Sequence, residues 1–130
     1  MSIHSTEISV SACYGELPTL MGEFARQAST LKLAFADIQR LQLVLEELFI
    51  NTITHGHGGN SDAPIRVGLS RDQQGIHLHF IDNAPHFDLT SYTQDRAPEI
   101  GGLGIPLILG MTRNIRYQRS EGLNVTELDF

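Results

Sequence analysis

Two stretches of this chain each hold a pair of strand-like runs joined by a turn only a few residues long. "IRVGLSR" and "GIHLHFID" flank "DQQ", and "NIRYQRS" and "LNVTELDF" flank "EG". A connection that short joins antiparallel neighbours only, because parallel strands need a crossover of a dozen residues or more. Strands that come in hairpins exclude a regular alternation of strand and helix. The remaining periodic segments fill in the order. "TEISVSA" alternates at period two and reads as a first strand. "ELPTLMGEFARQAST" carries Leu17, Leu20, Met21 and Phe24 at helical spacing. A second helix is predicted from an N-cap at Asp37 through His55. "GHGGNSDAP" is a loop by composition. "LGIPLILGMT" predicts a short third helix, with Pro106 in its first turn. The expected architecture is α+β: a two-layer sandwich, with a mostly antiparallel mixed sheet covered on one face by helices.

The chain has 130 residues, one domain's worth, with no internal repeat and no dividing linker. Residues 1–130 are therefore read as a single domain. The net charge is -6 and Lys32 is the lone lysine, which argues against a nucleic-acid or anionic-membrane binder. The single cysteine, Cys13, excludes an internal disulfide and a cysteine-cluster zinc site. No secretory pattern opens the sequence and no apolar run reaches bilayer length, so the expected location is cytoplasmic.

The second helix has an unusual face. At 100° per residue, Glu47, Asn51 and His55 form one slowly drifting stripe. Val44 and Leu48 lie on one side and Leu43 and Ile50 on the other, with Ile38, Leu41, Leu45 and Phe49 behind. Two readings stand. The stripe is the exposed edge of the helix, with His55 interacting with the C-terminal carbonyls. Alternatively it lines a polar cavity, where Glu47 and Asn51 offer oxygens of the kind magnesium accepts.

Two further segments carry polar signals. Asp82 in "FIDNAPHFD" stands at a strand end. It is either a plain turn residue or a carboxylate that accepts from an exocyclic amine while Ala84 lets the backbone approach a flat ring. Gly101, Gly102 and Gly104 in "EIGGLGI" precede a helix, where free backbone N–H groups and the dipole favour phosphate oxygens. The segment lacks the Gly-Lys-Ser/Thr of a Walker loop. "NAPHFDLTSYTQDRAPEIGG" is long for a loop, and loops of that length are usually functional.

In this order the three pieces resemble the N, G1 and G2 boxes of the ATPase superfamily that includes gyrase, histidine kinases and the MutL repair protein. Within it the chain is most similar to anti-sigma-factor serine protein kinases of the RsbW and SpoIIAB type. Glu47, Asn51, His55 and Gly56 match their Glu-x-x-x-Asn-x-x-x-His-Gly pattern. Asp82 through Asp88 resembles their Asp-x-Gly-x-x-Phe-Asp turn. Gly101, Gly102, Leu103, Gly104 and Ile105 match their Gly-Gly-Leu-Gly-Ile segment.

The resemblance implies a Bergerat-type fold that binds ATP or ADP with Mg2+ under a lid spanning roughly Pro85 to Ile100. It implies Glu47 as the catalytic residue that helps activate a hydroxyl, and Asn51 as the magnesium ligand. His55, Asp82, Ala84, Phe87, the Gly101–Ile105 segment and Thr126 would complete the nucleotide site. It also implies the partners: a sigma factor, and a small anti-anti-sigma protein of the STAS type phosphorylated on serine, with the chain itself a homodimer. Two departures bear on this. Ala84 stands where the family's turn has its first glycine, adding a methyl near the adenine. Ile100 stands where some relatives carry arginine, with Arg96 as a substitute charge. The alternative function is a nucleotide-gated partner-switching module without significant kinase activity.

Overall fold

The computed structural model describes residues 4–85 and 104–130. The chain opens with strand β1 (His4–Ser11), a 3-10 turn (Tyr14–Glu16) and helix α1 (Leu17–Thr30). Helix α2 (Phe35–Asn51) runs straight into a π-helical segment (Thr52–His57). Strands β2 (Pro64–Asp72) and β3 (Gly75–Asp82) form the first hairpin. Helix α3 (Gly104–Met111) precedes the second hairpin, β4 (Asn114–Ser120) and β5 (Leu123–Asp129). The sheet order is β1-β2-β3-β5-β4. Every pairing among the described residues is antiparallel, so the expected parallel component of a mixed sheet is absent there.

Both predicted hairpins are present, and each is set by glycine. The β4–β5 turn has Glu121 at φ 53° and Gly122 at φ 77°. Two consecutive left-handed residues make the type I′ geometry that matches strand twist. In the β2–β3 turn Gly75 has φ 128°, and a Cβ there would lie 3.0 Å from the Phe130 carbonyl oxygen.

Alternation in the strands decides which face is covered. Ile65, Val67 and Leu69 of β2, Leu78 and Phe80 of β3 and Leu128 of β5 are buried. They pack with Leu20 and Phe24 of α1, Leu41, Val44, Leu45, Leu48 and Phe49 of α2, and Ile108 of α3 in one apolar cluster. Three phenylalanines, Phe24, Phe49 and Phe80, are fully enclosed, each worth about 1.5–3 kcal/mol of burial. One position departs from the expected helix pattern: Leu43 is substantially exposed. Asp37 also differs from expectation. The helix begins at Phe35 after an extended Ala34, so Asp37 sits in the first turn rather than at the cap. There it complements the helix dipole and pairs with Arg40 at 2.6 Å. Among the described residues no helix is long and apolar enough to cross a membrane.

The uncovered sheet face is polar, and its strands are tied by charge. His77 of β3 places Nδ1 2.8 Å from Asp129 Oδ1 and Nε2 2.9 Å from Asp72 Oδ1. Arg116 of β4 donates to Asp129 at 2.7 Å and to Glu127 at 3.1 Å. The hydrogen bonds to Asp72 and Asp129 raise the imidazole above its ordinary 6.5. Bonding to His77 lowers Asp72, and bonding first to Arg116 and then to His77 lowers Asp129.

This cluster predicts a bell-shaped contribution to stability. A raised histidine stabilises the fold fully below 6.5 and loses that contribution as pH rises through its higher folded value. The lowered carboxylates contribute above 3.8 and lose their share as pH falls. Thermal unfolding of His77→Gln should therefore differ most from wild type near pH 5 and least near pH 8. An equal difference at both values would remove the ionic role assigned to His77.

Candidate functional site

The π-helical segment that continues α2 lies against the turn that follows β3, through Gly56 and Ala84. Asn51, the last residue of α2, is buried at 5% exposure, and its Nδ2 makes no hydrogen bond to the described residues. Glu47, one turn earlier, is half-buried. Burial, and then the neighbouring charge of Glu46, push its carboxyl above the ordinary range. Asn51 is thus no exposed edge, and its buried Nδ2 lacks a partner among the described residues. Such a group calls for a polar partner.

The stripe does not continue as expected beyond Asn51. The next six residues wind as a π-helix, with hydrogen bonds closing over five residues instead of four. His55 is exposed. His57 instead turns its Nε2 inward, where it is buried without a hydrogen-bond partner among the described residues. The segment ends at Gly58, left-handed at φ 77°. It is fastened from β1's side. The Tyr14 hydroxyl and Thr54 Oγ1 lie 2.6 Å apart, and the Tyr14 amide donates to Asn60 Oδ1 at 2.8 Å.

Asp82 ends β3 on the covered face and is 6% exposed. Its Oδ1 accepts from the Ala84 amide at 3.0 Å and from Asn124 Nδ2 at 2.9 Å. Both bonds fall on one oxygen; Oδ2 takes none from the described residues. Burial raises this carboxyl above its ordinary value, opposed by the Asn124 and Ala84 hydrogen bonds and by the charges of His57 and Arg119. Asn124 lies directly across from Asp82 on β5, and Thr126, also buried, lies across from Phe80. Arg119 Nη1 donates to Asn124 Oδ1 at 2.9 Å and to the Ala84 carbonyl at 3.0 Å. The Tyr117 hydroxyl donates to the same Asn124 oxygen.

Helix and turn touch through Gly56 and Ala84. A Cβ built on Gly56 would lie 2.9 Å from the Ala84 Cβ. The Ala84 methyl therefore packs against the helix end at Gly56. This contact joins the Asn51 stripe to the Asp82 turn. Gly104 and Ile105 open α3, and α3 packs on α2. Phe87, Gly101, Gly102 and Leu103, with His86, Arg96 and Ile100 of the expected lid, lie outside the described residues.

The structure thus joins the Asp82–Ala84 turn to the helix end at Gly56, buries Asn51 and Thr126, and leaves His55 on the surface. Sequence reasoning missed Asn124, Arg119, Tyr117 and His57. Strand parity puts Asn124 on the covered face with Thr126 and Leu128, a legible signal of a buried amide. No local pattern pairs it with Asp82. Among the described residues no cluster of three or more His, Cys, Asp or Glu could hold a metal ion.

Residues 10–130 match the family model of the histidine kinase-like ATPase domain. The chain is similar to the serine-protein kinase RsbW of Listeria innocua, 26% identical over 108 residues, covering 75% of this chain and 69% of that protein. The serine-protein kinase RsbW of Listeria monocytogenes matches at the same 26% and the same coverage. The solved structure of the RsbU and RsbW domains of Rv1364c from Mycobacterium tuberculosis superposes with a TM-score of 0.67 at 16% identity. That alignment covers 96% of this chain, which spans 31% of the solved one.

The Gly56–Ala84 contact generates a test by complementation. Gly56→Ala should destabilise the fold by about 1–3 kcal/mol, the usual cost of overpacking. Adding Ala84→Gly removes the opposing methyl and should recover most of the loss. Denaturant melts of both single variants and the double variant form the cycle. Strictly additive effects would show that the two positions do not meet.

Proposed function

The chain belongs to the histidine kinase-like ATPase domain family, and from that premise we propose that it is an anti-sigma-type protein serine kinase. It binds Mg-ATP beside α2 and the adjoining ends of β3 and β5. It transfers the terminal phosphate to a serine of a small anti-anti-sigma protein of the STAS type, and it binds a sigma factor. Homodimerisation and a cytoplasmic location belong to the same reading. RsbW relatives, named as serine-protein kinases, support the reaction class.

The observation that carries the nucleotide assignment is the divided Asp82 carboxylate. One oxygen is committed to Ala84 and Asn124, and the other, which takes no bond from the described residues, can accept from an exocyclic amine. The residues present suit the rest of the ligand. The side-chain oxygen of buried Asn51 is of the kind magnesium accepts, an ion held mostly by phosphate and water oxygens, while its Nδ2, unpaired among the described residues, is a donor suited to a phosphate oxygen. Magnesium would neutralise charge that develops on the phosphates.

In the transfer, the serine oxygen forms a bond to the terminal phosphorus while the bond to the bridging oxygen breaks and ADP leaves. The hydroxyl proton passes to Glu47. A carboxylate raised by burial and by Glu46 is a better proton acceptor near neutral pH than an ordinary one. The second reading, a partner-switching module with little kinase activity, draws on Ile100 standing where some relatives carry arginine.

Single-turnover transfer from labelled ATP to an anti-anti-sigma protein with one acceptor serine tests the assignment. Asp82→Asn should weaken ATP binding at least tenfold, about 1.4 kcal/mol. Glu47→Gln should leave binding intact and slow transfer by about 10²–10⁴-fold. Asn51→Ala should impair both. A wild-type chain that binds Mg-ATP and its partner but transfers nothing would establish the module reading. Equal rates for wild type and Glu47→Gln would strip Glu47 of its role.

A further inference from the structure

The polar hub behind Asp82 does more than make a buried carboxylate tolerable. Asn124 is 1% exposed, and its amide orientation is dictated by its partners. Its Oδ1 meets Arg119 Nη1 at 2.9 Å and the Tyr117 hydroxyl. A guanidinium donates only, so the atom facing it must be the oxygen. The NH₂ group is then forced toward β3, where it donates to Asp82 Oδ1 at 2.9 Å and to the Ala84 carbonyl at 3.1 Å. Arg119 reaches the same carbonyl at 3.0 Å and so holds the turn that follows Asp82.

We propose that Asn124 and Arg119 are positioning residues that hold Asp82 with Oδ1 turned inward and Oδ2 left to read the base, and that they thereby set a preference for a 6-aminopurine over a 6-oxopurine. This rests on the nucleotide reading above. With two donors already on Oδ1, the carboxylate stays an acceptor at Oδ2. An exocyclic amine at purine C6 supplies the donor it needs. A 6-oxo group presents a second acceptor and leaves the buried carboxylate unpaired, and sites built to bond an N–H reject analogues lacking it strongly. Among the described residues the charges acting on Asp82 are His57 from the π-helical turn and Arg119 from β4. The helix α3 brings no ionisable side chain.

Asn124→Asp is the informative variant because it is isosteric. It keeps an acceptor for Arg119 and Tyr117 but sets a second carboxyl group against Asp82, and two such groups share a proton. A protonated carboxyl can donate where an ionised one only accepts. Dissociation constants for ATP and for inosine triphosphate, measured by titration calorimetry, give the readout. Wild type should favour ATP at least tenfold, and Asn124→Asp should reduce that ratio at least tenfold. Arg119→Gln alters an exposed side chain. It should lower the same ratio severalfold, with partial rescue by Arg119→Lys. Variants that weaken both nucleotides equally, or leave both unchanged, would overturn the proposal. Wild-type binding of both nucleotides without preference overturns it alone. A wild-type chain that binds neither nucleotide overturns the nucleotide reading as well.

Discussion

The hydrogen bond from Asn124 to Asp82 is the interaction on which the rest of the site depends. A buried carboxylate without partners costs several kcal/mol. Hydrogen bonds to a charged group return about 1.5–3 kcal/mol each, so the two on Oδ1 are of the size needed to offset that cost. The arrangement requires β3 and β5 to pair in one register only. A slip by one residue would bring Leu123 or Val125 opposite Asp82 and turn Asn124 to the other face. The register of β5 against β4 matters equally, because it sets Arg119 across from Asn124. That register follows from the type I′ turn at Glu121 and Gly122. A two-residue turn at the sheet's edge therefore governs a carboxylate two strands away.

The helical side of the site depends on a departure from regularity. The long apolar face of α2 anchors it over the sheet through Leu41, Val44, Leu45, Leu48 and Phe49. Continued α-helical winding would carry His55 along the stripe below Asn51. The π-helical segment breaks that spacing, turns the His57 Nε2 inward and presents Gly56 to Ala84. The added winding thus brings backbone close to the Asp82 turn at a point where any side chain would collide. Such segments cost hydrogen-bond quality and are found frequently at functional sites.

Much of this was legible in the sequence for simple reasons. Period-two alternation and short glycine turns announced both hairpins, and Gly122 and Gly75 occupy the left-handed positions that those turns need. The strand-end Asp82 followed from the strand pattern, whereas the stripe on α2 left Asn51 open between an exposed edge and a polar cavity, and burial decides against the edge. The rest depended on information that local spacing does not hold. Asn124 acquires its role only when β5 inserts between β3 and β4, a non-sequential neighbour. His57 replaces His55 on the inner side because of a change in helical pitch that no residue type in "TITHGH" announces. Asp37 invited reading as a cap because its carboxylate suits one, yet Ala34 already supplies the extended backbone and Asp37 serves Arg40.

The β3–β5 ladder carries its two polar pairs on opposite faces and at opposite ends. His77 pairs with Asp129 on the uncovered face, while Asp82 pairs with Asn124 on the covered one. Five residues separate the two positions on β3, roughly 17 Å at strand rise. Between them Leu78 faces Leu128 and Phe80 faces Thr126, a stretch with no ionisable side chain on the covered face. Titration of the outer cluster therefore loosens the ladder without placing a charge beside Asp82. The two polar ends pin one register jointly, since a slip that separated His77 from Asp129 would also separate Asn124 from Asp82. The exposed ion cluster is in this sense part of the architecture of the site, acting through strand register rather than through the field.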